Sequence, residues 1–158
     1  MKYLLIGYGN TLRSDDGIGP AVAEQFRAEA ETLMGGEAGS LRIVALPQLV
    51  PELAELIAEA DRVVLVDASQ GLAPGEVSTR RVEPSPEAVE TRIHAYDPAT
   101  LAAWAADLYD NAPEIHVVAV GTENFGFGQG LSPAVAEAVP EAVRTVAGLF
   151  LEGQSPQG

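Results

Sequence analysis

The apolar residues of this chain fall into runs with two different periods. Residues 2–8, 63–66 and 115–120 are short apolar runs, as strands buried within a parallel sheet are, and residues 41–46 read as a further strand. Residues 76–82 alternate instead, with Val77, Thr79 and Arg81 set against Ser78, Arg80 and Val82, which predicts a more exposed strand near a sheet edge. Between these runs the apolar positions recur every three to four residues. Ile18, Val22 and Phe26 open a helix expected to reach Met34, and Leu53, Leu56, Ile57 and Ala60 form the inner face of another that follows Pro51. Leu101, Trp104, Ala105 and Leu108 mark a third, and Val135, Val139, Val143, Val146 and Phe150 a last one, which Pro140 is expected to kink or split.

Punctuation supports these boundaries. Asp97-Pro98 and Ser132-Pro133 each read as an N-cap followed by proline in the first turn. Residues 35–40 read as a flexible connection, and residues 87–93, after Pro84 and Pro86, as a short helix or an irregular link. Residues 122–131 form a long glycine-rich loop of the kind that covers or shapes a site. Strands alternating with helices predict an α/β fold, a three-layer α/β/α sandwich with a mostly parallel twisted sheet of about five strands.

Composition narrows the function. A chain of 158 residues is expected to form a single domain over residues 1–152, with a frayed tail at 153–158. No apolar run approaches the roughly 20 residues of a membrane span, and the apolar start stops at Gly7 without a cleavage signal, so a cytoplasmic location is expected. The absence of cysteine removes disulfides, thiolate nucleophiles and sulfur-ligated metals. A formal charge of −14 argues against nucleic acid as a partner and for cations. Lys2 is the only lysine, which excludes P-loop and Schiff-base chemistry.

The densest stretch joins the first strand to the first helix: Gly7-Tyr8-Gly9-Asn10-Thr11-Leu12-Arg13-Ser14-Asp15-Asp16-Gly17-Ile18-Gly19. Its opening GxG is how a dinucleotide fingerprint begins, but Leu12 replaces the third glycine, no acid ends the second strand, and two carboxylates would repel a pyrophosphate. A metal site fits better. Asp16, Asp67 and His94 each lie after a strand or in a loop on the carboxyl side of the sheet, and two carboxylates with one imidazole leave positions open on a divalent ion such as nickel or zinc. Such an ion polarises a peptide carbonyl or lowers the pKa of bound water.

Each residue also has a plainer reading. Asp15 or Asp16 caps the first helix, and Asp15 is assigned that structural role; Asp67 ties a turn; His94 is an ordinary histidine before a helix. Asn10 holds the loop through backbone hydrogen bonds, and His116, inside a strand, is structural or exposed. Ser69 and Ser132 lack a nucleophile elbow, and Ser132 reads as a helix cap. Asp16 facing Asp67 also matches a glycosidase pair, although no aromatic sugar platform accompanies it.

The segments GYGNTLRSDDGIGP at 7–20, VDAS at 66–69 and GLSPAV at 130–135, with His94 ahead of a helix, together resemble the hydrogenase maturation proteases over nearly the whole chain. That resemblance implies an endopeptidase that trims the carboxyl-terminal extension of a nickel-iron hydrogenase large-subunit precursor after nickel insertion. It carries the family's metal-contacting acids onto Asp16 and Asp67 and its histidine onto His94, with nickel supplied by the precursor. Some members have an acidic, glycine-rich turn after the second strand; here residues 45–51 contain no acid, and Gln48 is the polar residue available. The alternatives are a metal-dependent hydrolase of another substrate on the same fold and a nickel-sensing chaperone that binds the precursor without cutting it.

Overall fold

Strand residues divide by parity between two apolar cores. In β1, Tyr3–Tyr8, the side chains of Tyr3 and Leu5 enter one core and those of Leu4 and Ile6 the other, the consequence of a two-residue repeat in a strand covered on both faces. The computed structural model describes residues 1–84 and 97–152. After β1 the chain runs through a short helical turn, Ser14–Gly17, then α1 (Ile18–Ala28), α2 (Ala30–Met34), β2 (Leu41–Leu46), α3 (Leu53–Glu59), β3 (Arg62–Ser69), β4 (Val77–Arg81), α4 (Pro98–Tyr109), β5 (Glu114–Gly121) and α5 (Pro133–Leu151). The fold is α/β, as the alternation of periods predicts. His94, the segment at 87–93 and the tail at 153–158 lie outside the described residues.

The five strands are ordered β2-β1-β3-β5-β4, all parallel except the edge strand β4, which pairs antiparallel with β5. One core joins α1 and α5 to the sheet through Ile18, Val22, Phe26, Val143 and Phe150. There Tyr3 and Phe26 each meet Phe150 edge to face, at ring separations of 5.3 and 6.1 Å. The opposite core seats α3 and α4 through Leu53, Ile57, Leu101, Ala102 and Ala105. Because β1 lies between β2 and β3, the chain leaves β1 on one side and returns past it to the other. The carboxyl ends of β1 and β3 thus flank the point where strand order reverses, where open α/β sheets bind ligands.

Several local expectations change. The helix starting at Ile18 is interrupted at Glu29 before a second short one, and residues 35–40, read as a flexible connection, form a 3₁₀ helix. Pro140 does not split α5, whose 19 residues continue through it. The loss of one backbone hydrogen bond is outweighed there by a buried stripe that includes Val135, Ala138, Ala142, Val143 and Val146. Leu108, in the last turn of α4, is exposed rather than inward. Among the described residues no helix is long and apolar enough to cross a membrane.

Candidate active site

Glycine brings the first helix hard against the strand ends. A Cβ at Gly19 would lie 2.4 Å from the Tyr8 carbonyl oxygen and 2.7 Å from that of Val66, so only a residue without a side chain lets α1 begin directly above β1 and β3. Gly9 has φ +148° and its absent Cβ would fall 1.8 Å from the Asp16 carbonyl oxygen. The chain folds back there so tightly that Asp16 comes over the end of β1. Asn10 fixes the fold-back from within: its amide donates to Asp16 Oδ2 at 2.7 Å, and its own side-chain oxygen accepts the Leu12 amide at 2.9 Å. The Asn10 reading therefore holds. Asp16 Oδ1 makes no hydrogen bond to any described residue.

Asp67 reaches the same crevice from the neighbouring strand. Val66 is the last residue of β3 paired with β1, opposite Gly7, whereas pairing with β5 continues to Ser69. Asp67 therefore stands one residue past the end of β1 pairing, with one flank open to the crevice. By the same register Tyr8 is its neighbour on the same face of the sheet, and the Tyr8 phenol donates a hydrogen bond to the Asp67 carboxylate. Burial raises the Asp67 pKa above the ordinary carboxylate range, and the negative charge of Asp16 adds to the rise. The Tyr8 hydroxyl, the Ala68 backbone N–H and the charge of Arg80 oppose it without cancelling it. Tyr8 is itself driven upward, by burial first and by the adjacent Asp67 second, and so remains a protonated donor.

Asp15 has the opposite environment. It is fully buried, and its carboxylate accepts hydrogen bonds from the Glu123 and Asn124 amides, both at 2.9 Å, and from the Ser132 amide and hydroxyl at 2.7 and 2.8 Å. Burial alone would raise its pKa, but those donors outweigh it and hold the group below the usual range. The structural role assigned to Asp15 holds, while its expected form does not. The position before α1 is Gly17, with no side-chain cap, and Asp15 instead clamps the first loop to residues 123–124 and to the start of α5. Ser132 is likewise at the cap position of α5, but its hydroxyl serves Asp15 and not the helix. A buried carboxylate with four donors is a stronger demand on that hydroxyl than one helix amide.

The clamp continues along both loops. Arg13 pairs with Gly128, the Ser14 amide donates to the Gly128 carbonyl at 2.9 Å, and the Ser14 hydroxyl donates to the Gly126 carbonyl at 2.9 Å. Residues 122–131 therefore shape the rim beside Asp16, as a long loop at a crevice was expected to do. The end of β2 is tied to the same rim by the Gly9 amide, which donates to the Leu46 carbonyl at 3.1 Å, and Gln48 in the loop that follows is exposed.

Of the triad read from the sequence, Asp16 and Asp67 lie near enough at the strand ends for the charge of Asp16 to act on Asp67, and His94 lies outside the described residues. Among the described residues no three His, Cys, Asp or Glu side chains come close enough to hold a metal ion. The donor chemistry nonetheless suits a divalent ion: two carboxylates from different segments, one with an oxygen free of described partners, the other raised in pKa beside it. Tyr8 is the contributor that sequence reading missed. The alternation Leu4-Ile6-Tyr8 against Val63-Leu65-Asp67 contains the pairing, but only once β1 and β3 are known to be adjacent. His116, read as a structural or exposed strand residue, is half-buried in β5 with its Nδ1 4.0 Å from a Glu114 carboxylate oxygen, away from the crevice.

Comparison with known proteins agrees with the fold and gives the family. The model of the HycI hydrogenase maturation proteases matches residues 37–149, well over half the chain. None of the curated proteins matches it. Among solved structures, the hydrogenase maturating endopeptidase HybD from E. coli superposes with a TM-score of 0.73 at 24% identity, covering 97% of this chain and 94% of that one. The [NiFe] hydrogenase maturation protease HybD from Thermococcus kodakarensis gives 0.69 at 23% identity, with coverage of 92% and 97%. HycI from Thermococcus kodakarensis KOD1 gives 0.68 at 22%, with coverage of 94% and 92%. These structures share the fold, and the matched family model carries the conclusion: the chain belongs to the hydrogenase maturation protease family.

Proposed function

We propose that this peptidase removes the carboxyl-terminal extension of a nickel-iron hydrogenase large-subunit precursor, and that Asp16, Asp67 and His94 face the nickel which that precursor carries. The observation that supports this reading is a pair of carboxylates at the strand-order switch, one with an oxygen free of described partners and the other raised in pKa despite its donors. Burial disfavours the ionised form of Asp67, and the charge of Asp16 adds to that cost. A cation arriving on the substrate relieves both effects. The site thus gains most from a ligand that already contains a metal, which is what distinguishes a nickel-loaded precursor from an apo one.

In this reading the nickel is part of the substrate, bound to its own ligands and presenting open positions to the two carboxylates and the imidazole. Bound there, it polarises the neighbouring carbonyl as a Lewis acid or recognises the precursor without touching the reacting bond. Asp67, with its raised pKa, is the carboxylate better suited to take a proton from an attacking water. Tyr8 keeps Asp67 oriented by donating to it, and Asn10 does the same for Asp16 through its backbone.

The test is to incubate the protein with nickel-loaded and with apo precursor and to weigh the products. Cleavage of the loaded form alone, at one bond near the carboxyl terminus, is the expected result. Equal cleavage of both forms contradicts nickel recognition, and tight binding to the loaded precursor without any cleavage points to a chaperone.

A further inference from the structure

The exposed large apolar side chains of the described residues separate by location. Met1, Leu108 and Tyr109 lie at the amino ends of the strands: Met1 precedes β1, and the end of α4 is tied there by Asn111, whose side chain donates to the Ala58 and Ala60 carbonyls just before β3. Leu12 and Phe127 lie at the carboxyl ends, beside the crevice, with exposures of 56% and 95%. An almost bare phenylalanine at the rim of a site invites an explanation, because a floppy loop would let it fold back onto apolar surface.

This loop is held on both sides of Phe127. The Gly126 amide donates to Asn124 Oδ1 at 2.9 Å, the Gly126 carbonyl accepts the Ser14 hydroxyl, and Arg13 Nε donates to the Phe125 carbonyl at 3.2 Å. On the far side the Gly128 amide donates to the Leu12 carbonyl at 2.9 Å, which sets the Phe127 and Leu12 backbones side by side. Leu12 is in turn linked to the crevice, since its amide rests on Asn10 and the Asn10 amide rests on Asp16. Next to them runs a groove of about 260 Å³ lined by Thr11, Ser14, Pro20, Ala21, Gly130 and Leu131.

We propose that Leu12 and Phe127 are a pre-organised docking surface for an apolar side chain in the extended precursor segment next to the bond that is cut. This rests on the protease reading above. Continuity selects the occupant: only two hydrogen bonds separate the Leu12 backbone from the Asp16 carboxylate, so a peptide lying across the crevice passes over this pair within a few residues. A backbone held in place spares the loop the cost of ordering when a ligand binds, and aromatic and aliphatic anchors dominate interface energetics. Apolar contact here adds to the affinity that the metal supplies at the two carboxylates.

The test compares wild type with the double variant Leu12→Ser/Phe127→Ser on nickel-loaded precursor, with kcat and KM measured separately and sedimentation recorded for both proteins. Because both side chains are exposed, the thermal midpoint should stay within about 2 °C. The expected result is a KM raised at least about tenfold with kcat within about twofold of wild type. A wild-type KM in the double variant, with wild type cutting normally, overturns the docking surface and leaves the protease reading standing. A wild-type dimer that the double variant abolishes without changing KM makes this a self-association face and overturns it too. A wild type that cuts neither loaded nor apo precursor ends the protease reading and this one together.

Discussion

Asp15 and Asp16 are neighbours in sequence and opposites in environment. Asp15 is buried and answered by four donors from two distant segments, and its pKa is held down; Asp16 has one backbone donor, an oxygen without a described partner, and another carboxylate in front of it. The clamp around Asp15 is saturated and the crevice beside Asp16 is not. Saturation marks the part that holds the fold, and the deficit of partners marks the part left for a ligand. Two adjacent carboxylates in a loop are thus told apart by counting donors, which residue type alone cannot do.

Removing the saturated group should do the most damage. Asp15→Ala leaves three amides and a hydroxyl, all part-buried, without their acceptor, and unfolding in urea should show a loss of about 4 kcal/mol. A loss under about 1 kcal/mol would mean that the clamp is readily replaced by water. Next in size is Gly9→Ala, whose Cβ meets the Asp16 carbonyl at 1.8 Å in a backbone region that side chains rarely adopt. It should cost about 2 kcal/mol and, by moving Asp16, lower cleavage more than stability alone explains. Wild-type kinetics in this variant would show that the fold-back does not set the site.

Tyr8→Phe is gentler. It removes the donor to Asp67 while keeping the ring packed, so kcat/KM should fall by about tenfold with little change in thermal midpoint. An unaltered kcat/KM would reduce Tyr8 to a packing residue. The smallest effects are in pH dependence, and they have opposite signs in the two regions. Asp15 has a lowered folded pKa, so its contribution to stability is present above the ordinary Asp value of about 3.9 and is lost as pH falls through the lowered one. Asp67 has a raised folded pKa, so its ionised form costs stability above that value, and the cost disappears as pH falls towards 3.9. Asp67→Asn, studied in chelator, should therefore melt higher than wild type at neutral pH, with the gap closing on acidification. A gap of the reverse sign would place Asp67 among the saturated carboxylates.

The central strands were legible because they are buried on both faces, which leaves unbroken apolar runs such as Val63-Val64-Leu65-Val66, and β4 because it alternates, whereas β2, the other edge strand, is apolar in sequence yet has no buried residue. Asp97 as a helix cap was legible for the same local reason: its side chain accepts the Thr100 amide three residues on, at 2.8 Å. What could not be read depends on contacts distant in sequence. Asp15 and Ser132 each look like a helix cap in isolation, and only folding, which places them together across 117 positions, gives each a better partner than its own helix. Tyr8 beside Asp67 is hidden likewise, since register between β1 and β3 is a property of the sheet and not of either strand. The exposure of Phe127 has no signal in a periodic pattern at all, because it belongs to a loop shaped by Ser14 and Asn124.

The central claim is that the unsaturated neighbour, Asp16, serves the substrate and not the fold. Asp16→Asn keeps an oxygen to accept the Asn10 amide, so it changes the charge at the crevice and little else. Its cleavage of nickel-loaded precursor and its thermal unfolding, measured together, test the claim most directly. The account predicts cleavage reduced by at least about a thousandfold, with the midpoint within about 3 °C of wild type. Cleavage at the wild-type rate, or a collapse in stability like that expected of Asp15→Ala, would contradict it.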